Sequence, residues 1–116
     1  MKKPQLSATV ITLHPELFPG PLSASVTGRA LEKKIWSLET IDLRVYGKGK
    51  HKQVDDKPIS GGPGMVLRPD VLDRALQRAS RSVTDTKKLI VCMSPKGIPF
   101  TQNTAKNLLQ YNEIII

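Results

Sequence analysis

The run Ala8-Thr9-Val10-Ile11-Thr12-Leu13 limits the fold more than any other stretch of this chain. It is β-branched and almost continuously apolar, without the alternation of a strand that faces water on one side. A strand covered on both faces reads this way, and such strands belong to parallel sheets flanked by helices. The chain must then supply crossover helices, and its periodicity does so. Val26, Ala30, Leu31 and Ile35 fall on one helical face, with Arg29, Lys33 and Lys34 elsewhere. Ile41, Leu43 and Val45 alternate with Asp42, Arg44 and Tyr46, the period of a strand. Residues 47–64 read as a long loop, and Pro69 opens a second amphipathic helix. Its stripe is Val71, Leu72, Ala75, Leu76 and Ala79; Asp70 and Asp73 near the start and Arg78 and Arg81 near the end suit the helix dipole. Lys88–Met93 predicts a third, buried strand, closed by the turn Ser94-Pro95-Lys96-Gly97. Thr101 caps a short helix carrying Ala105, Leu108 and Leu109, and Glu113-Ile114-Ile115-Ile116 reads as a central strand.

The order β-α-β-loop-α-β-α-β predicts an α/β fold, a parallel sheet with flanking helices and right-handed crossovers. In such sheets ligands bind beyond the carboxyl ends of the strands. The sequence stops at that edge without a cap, turn or charged tail, so it is expected to be cut from a longer protein. An unpaired edge at Ile114–Ile116 would then favour aggregation.

A chain of 116 residues makes one domain. Lys and Arg outnumber Asp and Glu by 18 to 10, a net charge of +8 that attracts polyanions. Two Phe, two Tyr and one Trp are too few for a stacking platform, so nucleic-acid contact is expected to be electrostatic and shape-based. The single cysteine, Cys92, excludes an internal disulfide and fits a reducing cytosol. No apolar run approaches the ~20 residues that span a bilayer. The start, Met1-Lys2-Lys3-Pro4, leads into an apolar stretch too short for a signal peptide.

Two segments are candidates for chemistry. The loop 47–64 has a basic half, with Lys48, Lys50, Lys52 and Lys57 following Arg44, suited to neutralising phosphates. Its glycine half, Gly61-Gly62-Pro63-Gly64, lets a flat or anionic ligand approach backbone N–H groups. From composition alone the favoured reading is a solvated, flexible loop. No Lys-Ser/Thr pair follows the last glycine, so the loop is not a Walker motif. Asp55 and Asp56 are either a base or a counterweight to the lysines. His14 and His51 are isolated, no Cys/His set has metal-ligand spacing, and no metal is expected. Cys92 reads as a small core residue, and Trp36 as a core or interface anchor. The second segment, Met93-Ser94-Pro95-Lys96-Gly97, is a candidate through its position at a strand's carboxyl end.

Together these pieces carry a resemblance. Ile11-Thr12-Leu13-His14-Pro15-Glu16-Leu17-Phe18, Val26-Thr27-Gly28-Arg29-Ala30, Val54-Asp55-Asp56-Lys57-Pro58 with Gly61-Gly62-Pro63-Gly64-Met65, and Ser94-Pro95-Lys96-Gly97 resemble, in order and spacing, the motifs of the bacterial tRNA (guanine-N1)-methyltransferase TrmD family. His14 replaces the usual aromatic residue, and Ser60 stands where a third glycine is common. The resemblance covers essentially residues 1–116 and implies the N-terminal part of a SPOUT methyltransferase fold, cut off before its trefoil (α/β) knot is complete. The rest of the knot and a tRNA-binding helical domain would lie outside this chain. It also implies a cytoplasmic homodimer that binds S-adenosylmethionine and methylates guanine N1 in tRNA, immediately 3′ of the anticodon. Cys92, Met93, Ser94 and Pro95 would line the adenosine pocket, largely through backbone. Gly62, Pro63 and Gly64 would meet the target guanine, and Asp55, Lys50 and Lys52 the RNA, with Asp55 an auxiliary catalytic residue. The family's presumed base, an aspartate aided by an arginine, would lie beyond Ile116. The 116 residues alone are therefore expected neither to bind cofactor tightly nor to methylate tRNA. The alternatives are a non-catalytic basic RNA-binding module, an inactive fragment of the methyltransferase, or a nucleotide-binding regulatory α/β domain.

Overall fold

The computed structural model describes residues 4–81 and 87–116; Met1, Lys2 and Lys3 lie outside the described residues. In chain order the elements are β1 (Leu6–Thr12), α1 (Ser25–Glu32), β2 (Trp36–Asp42), β3 (Asp55–Asp56), β4 (Val66–Leu67), α2 (Pro69–Ser80), β5 (Lys88–Ile90), α3 (Gln102–Leu108) and β6 (Glu113–Ile115). Short 3-10 turns occupy Pro15–Leu17, Gly20–Ser23 and Leu43–Tyr46. The main sheet has the order β2-β1-β6-β5, and every pairing in it is parallel. The expected α/β architecture is thus the one found.

The isoleucine run is a central strand, as its apolarity predicts. β6 lies between β1 and β5, and Ile116 continues the ladder: its N–H donates to Thr9 and its carbonyl accepts from Ile11, both at 2.8 Å. The feared unpaired edge at Ile114–Ile116 is absent; β2 and β5 form the edges of this sheet.

Side chains of a strand alternate between faces, so the register sorts them. Thr9 and Ile11 of β1, Glu39 and Ile41 of β2, and Glu113 and Ile115 of β6 share the face on which α2 packs. That face is divided lengthwise. Toward the amino ends of the strands it is polar: Arg78 of α2 bonds Glu39 at 3.1 Å, and Lys88 lies 3.8 Å from buried Glu113. Toward the carboxyl ends it is apolar, where Ile41, Leu43, Val54, Val71, Ala75, Ala79 and Ile115 form the core. The stripe on α2 is as expected, with Val71, Ala75 and Ala79 buried and Leu72 and Leu76 packed against them. Asp70 stands in its first turn and Arg78 in its last. Thr101 caps α3, its Oγ1 accepting from the Thr104 N–H at 3.3 Å.

Several expectations are corrected. The alternation at 41–46 is not a strand of that span; β2 is Trp36–Asp42, and Leu43–Tyr46 is a 3-10 turn. The Asp42 carboxylate accepts from the Arg44 N–H at 2.9 Å, which turns the chain out of the sheet. Helix α1 ends before Ile35 because Lys34 takes φ +58°, outside the helical region. Its buried residue is Gly28, while Val26 is exposed. Trp36 opens β2, and its indole N–H donates to the Thr27 carbonyl at 3.0 Å. β1 is covered less than its sequence suggests: only Thr9 is fully buried.

Candidate functional site

The carboxyl ends of β1, β5 and β6 converge on one cavity of about 420 Å³. Ile11, Thr12 and Leu13 contribute from β1, Ile116 from the end of β6, and Ile90, Val91, Cys92 and Met93 from β5 and the segment after it. Leu43 and, from α2, Leu72 and Leu76 complete the wall with Leu67 of β4. The cavity is the outward continuation of the apolar half of the sheet face. Its size falls within the ~300–1,000 Å³ of small-molecule sites.

Cys92 is corrected from a core residue to an exposed one, because β5 ends at Ile90 and the chain leaves the sheet. The last ladder bond is Val91 N–H to the Ile115 carbonyl at 2.7 Å. Beyond it the backbone of Cys92 and Met93 makes no hydrogen bond among the described residues, although both line the cavity. Ser94 and Pro95 follow in an exposed turn, closed by Gly97 N–H to the Ser94 carbonyl at 3.0 Å. The segment thus offers backbone donors and acceptors at an apolar rim.

The loop 47–64 is more ordered than its composition suggests. Residues 48–53 form a small hairpin in which Lys48 and Gln53 exchange backbone bonds of 2.8 and 2.9 Å. Lys50, His51 and Lys52 are exposed at its tip, and neither lysine makes a side-chain bond or ion pair among the described residues. Lys48 is different: its Nζ lies 2.8 Å from Asp70 Oδ2. The next segment folds back as the two-residue ribbon β3–β4, with Asp55 opposite Leu67 and Asp56 opposite Val66. Asp55 and Asp56 can now be told apart. Asp56 bonds Arg68 Nη1 at 3.2 Å and the Lys57 N–H at 2.8 Å, whereas the Asp55 carboxylate has no partner among the described residues.

Gly62, Pro63 and Gly64 lie at the exposed tip of this ribbon, between Gly61 at φ +74° and Gly64 at φ +90°. A Cβ on Gly64 would meet nothing within 4 Å, so the left-handed backbone rather than space calls for glycine there. These residues line neither the rim cavity nor a second one of about 460 Å³ between the ribbon and α2, bounded by Asp56–Ile59 and Val66–Asp70. They remain close to the rim, since Leu67 belongs to both cavities. Three residues of extended chain span at most about 11 Å, which bounds the Gly64–Leu67 separation.

Sequence periodicity gave no hint of the ion-pair group around Asp70. Lys48, Arg68 (Nε at 3.3 Å) and Arg74 (3.7 Å) surround its carboxylate. The Lys48 ammonium, and after it the Arg68 guanidinium, hold the Asp70 carboxyl well below its ordinary value of 3.8. A depressed carboxylate stabilises the fold above its unfolded-state pKa, and that contribution is lost as pH falls through the folded one. Because the carboxylate is exposed, wild type is expected to exceed Asp70→Asn in urea midpoint only slightly at neutral pH. The gap should close only below pH 3.8, read from urea midpoints across an acid series.

Among the described residues no group of three or more His, Cys, Asp or Glu could hold a metal, and no helix is long and apolar enough to cross a membrane. His14 is exposed and bonds Glu16 at 3.0 Å.

A parallel sheet whose carboxyl rim frames an apolar cavity makes the molecule an α/β domain with a cavity at the rim where such folds bind ligands. Among such folds its place is specific: the model of the family described as tRNA (Guanine-1)-methyltransferase TrmD matches residues 6–116, and the chain belongs to that family. It is similar to a tRNA (guanine-N(1)-)-methyltransferase of Jannaschia sp. (strain CCS1), 55% identical over 85% of this chain and 41% of the relative. Proteins of the same name from Cereibacter sphaeroides (strain KD131) and Ehrlichia canis are 50% and 45% identical, over 92% and 96% of this chain and 44% and 46% of their own lengths. The chain thus spans less than half the length of these relatives.

Proposed function

We propose that this chain is the N-terminal part of a SPOUT methyltransferase domain that transfers a methyl group from S-adenosylmethionine to guanine N1 of tRNA, immediately 3′ of the anticodon. One observation carries the reading. In a chain of this family, the rim cavity is bounded by unbonded backbone at Cys92 and Met93 and by Leu67 of the glycine-rich ribbon.

The cavity fits such a cofactor in size and character. Apolar walls suit the faces of an adenine, and backbone N–H and C=O groups at Cys92 and Met93 suit its edge, with Ser94 and Pro95 continuing the rim. Bound there, S-adenosylmethionine would supply a methyl group already activated on a sulfonium. The chain's own task is orientation and exclusion of water. Gly62, Pro63 and Gly64 let the guanine ring approach backbone closely. Asp55, whose carboxylate is uncommitted, accepts a hydrogen bond from the base as an auxiliary to the group that takes the N1 proton. In the full-length protein that group, the rest of the knot and the tRNA-binding helical domain belong to sequence outside these residues. Exposed Met93, at the cavity, and exposed Ile98 and Phe100, further along the chain, support a homodimer that covers them. A cytoplasmic location follows from a tRNA substrate.

The test is methyl transfer by the full-length protein from methyl-labelled S-adenosylmethionine to a tRNA with guanine after its anticodon, reading 1-methylguanosine. Transfer abolished when that guanine is replaced by adenine is the expected result; label at another position overturns the reading. The basic hairpin makes a separate prediction. Removing one lysine–phosphate pairing lowers the slope of log K against log salt by about 0.7–0.9. Lys50→Ala/Lys52→Ala is expected to weaken tRNA binding about tenfold at low salt and flatten that slope by nearly two, as measured by filter binding.

A further inference from the structure

We infer that Asp70 is a positioning residue: with Arg68 it fastens the basic hairpin and the β3–β4 ribbon to the first turn of α2, fixing the phosphate-facing lysines relative to the glycine turn. The inference rests on the proposed RNA-binding role of the hairpin and adds what holds that hairpin in place. The hairpin is closed by one backbone bridge and the ribbon by two residue pairs, too little to persist alone in water. Each is tied to the same anchor. Lys48, at the base of the hairpin, reaches Asp70 at 2.8 Å. Arg68 reaches Asp70 with Nε at 3.3 Å and Asp56 of the ribbon with Nη1 at 3.2 Å, while its N–H donates to the Val54 carbonyl at 2.7 Å. Asp70 belongs to a helix whose buried face packs on the sheet, and a carboxylate in a helix's first turn is favoured by the dipole. The anchor is therefore rigid where its dependants are not. Exposed ion pairs add little to global stability, so the consequence is local: Lys48 is withdrawn from phosphate contact, and Lys50 and Lys52 are presented at a set distance from Gly62–Gly64.

The test uses amide hydrogen exchange together with binding of an anticodon stem-loop RNA. Asp70→Asn is expected to speed exchange at Lys48 and Gln53 by about fivefold or more, with the amides of α2 beyond its first turn unchanged, and to weaken RNA binding by a similar factor. Asp70→Glu, which keeps the charge, should retain most of both. Lys48→Met should reproduce the faster hairpin exchange of Asp70→Asn, and the double variant should lose no more than Asp70→Asn alone, because that substitution already breaks the Lys48 tie along with the one to Arg68. Unchanged hairpin exchange and RNA affinity in Asp70→Asn, while Lys50→Ala/Lys52→Ala still weakens binding, would overturn the positioning role and leave the RNA reading standing. Additive losses in the double variant would overturn it as well. RNA affinity unaffected by Lys50→Ala/Lys52→Ala would remove the RNA reading beneath it.

Discussion

Gly28→Ala is expected to destabilise the protein by about 3 kcal/mol, the upper part of the range for forcing atoms into a packed site. The sign is the reverse of what helix propensity gives, since alanine normally gains up to about 1 kcal/mol over glycine inside a helix. Gly28 lies in α1 and is buried, and a Cβ on it would collide with the backbone carbonyl of Ser23 in the preceding turn. A backbone atom cannot swing aside as a side-chain tip can. The turn is also held, by Ser23 Oγ donating to the Gly20 carbonyl at 2.7 Å and by Gly28 N–H donating to the Ala24 carbonyl at 3.1 Å. Any shift of α1 is passed to β2 through the bond from Trp36 to Thr27. Urea unfolding should show a lower midpoint with an unchanged m-value. Gly62→Ala is the contrast: its Cβ would meet only Ser60 Oγ, at 3.6 Å, and the change should stay within about 0.5 kcal/mol. A Gly28→Ala protein as stable as wild type would show that the close approach of turn and helix is not what glycine serves there.

The parallel sheet was legible because its strands carry dense apolar runs. Ala8–Leu13 and Ile114–Ile116 read directly as interior strands, and the stripe from Val71 to Ala79 as the helix above them. What failed to read were places where one local contact overrides periodicity. Asp42 captures the Arg44 N–H and ends β2 where alternation appeared to continue. Lys34 turns left-handed and ends α1 before Ile35. Cys92 looked buried because its neighbours are apolar, yet those apolar residues line a rim rather than a core. The glycine and lysine segments were legible as a loop by composition, but their order was not. The bridge Lys48–Gln53 and the tie to Asp70 join residues that no sequence spacing announces as neighbours. The motif resemblance identified the family, which the comparisons bear out; only coordinates separate Asp55 from Asp56.

On the proposed function, Leu67→Lys should cost the full-length protein about 100-fold in affinity for S-adenosylmethionine while leaving the fold within about 0.5 kcal/mol of wild type. Leu67 is 45% exposed, so its own burial contributes modestly to stability and a lysine there can extend into water in the free protein. Ligand entry removes that freedom. Leu67 is common to the rim cavity and the ribbon cavity, and the walls around it are Ile11, Leu13, Leu43, Leu72 and Leu76. With a ligand in the cavity, an ammonium at position 67 must give up water against apolar neighbours, a cost that the Asp55 carboxylate, opposite it on the ribbon, offsets only in part. A cofactor that carries a sulfonium adds like-charge repulsion to that cost. Leu67→Met, similar in volume and uncharged, should bind within about threefold of wild type. Calorimetric titration of the full-length variants with S-adenosylmethionine and with neutral S-adenosylhomocysteine separates the two contributions. Repulsion makes the lysine variant's loss larger for the sulfonium, and equal losses would leave desolvation as the whole effect. Undiminished affinity for both ligands in Leu67→Lys would mean that the cofactor does not occupy the cavity at the sheet's carboxyl rim.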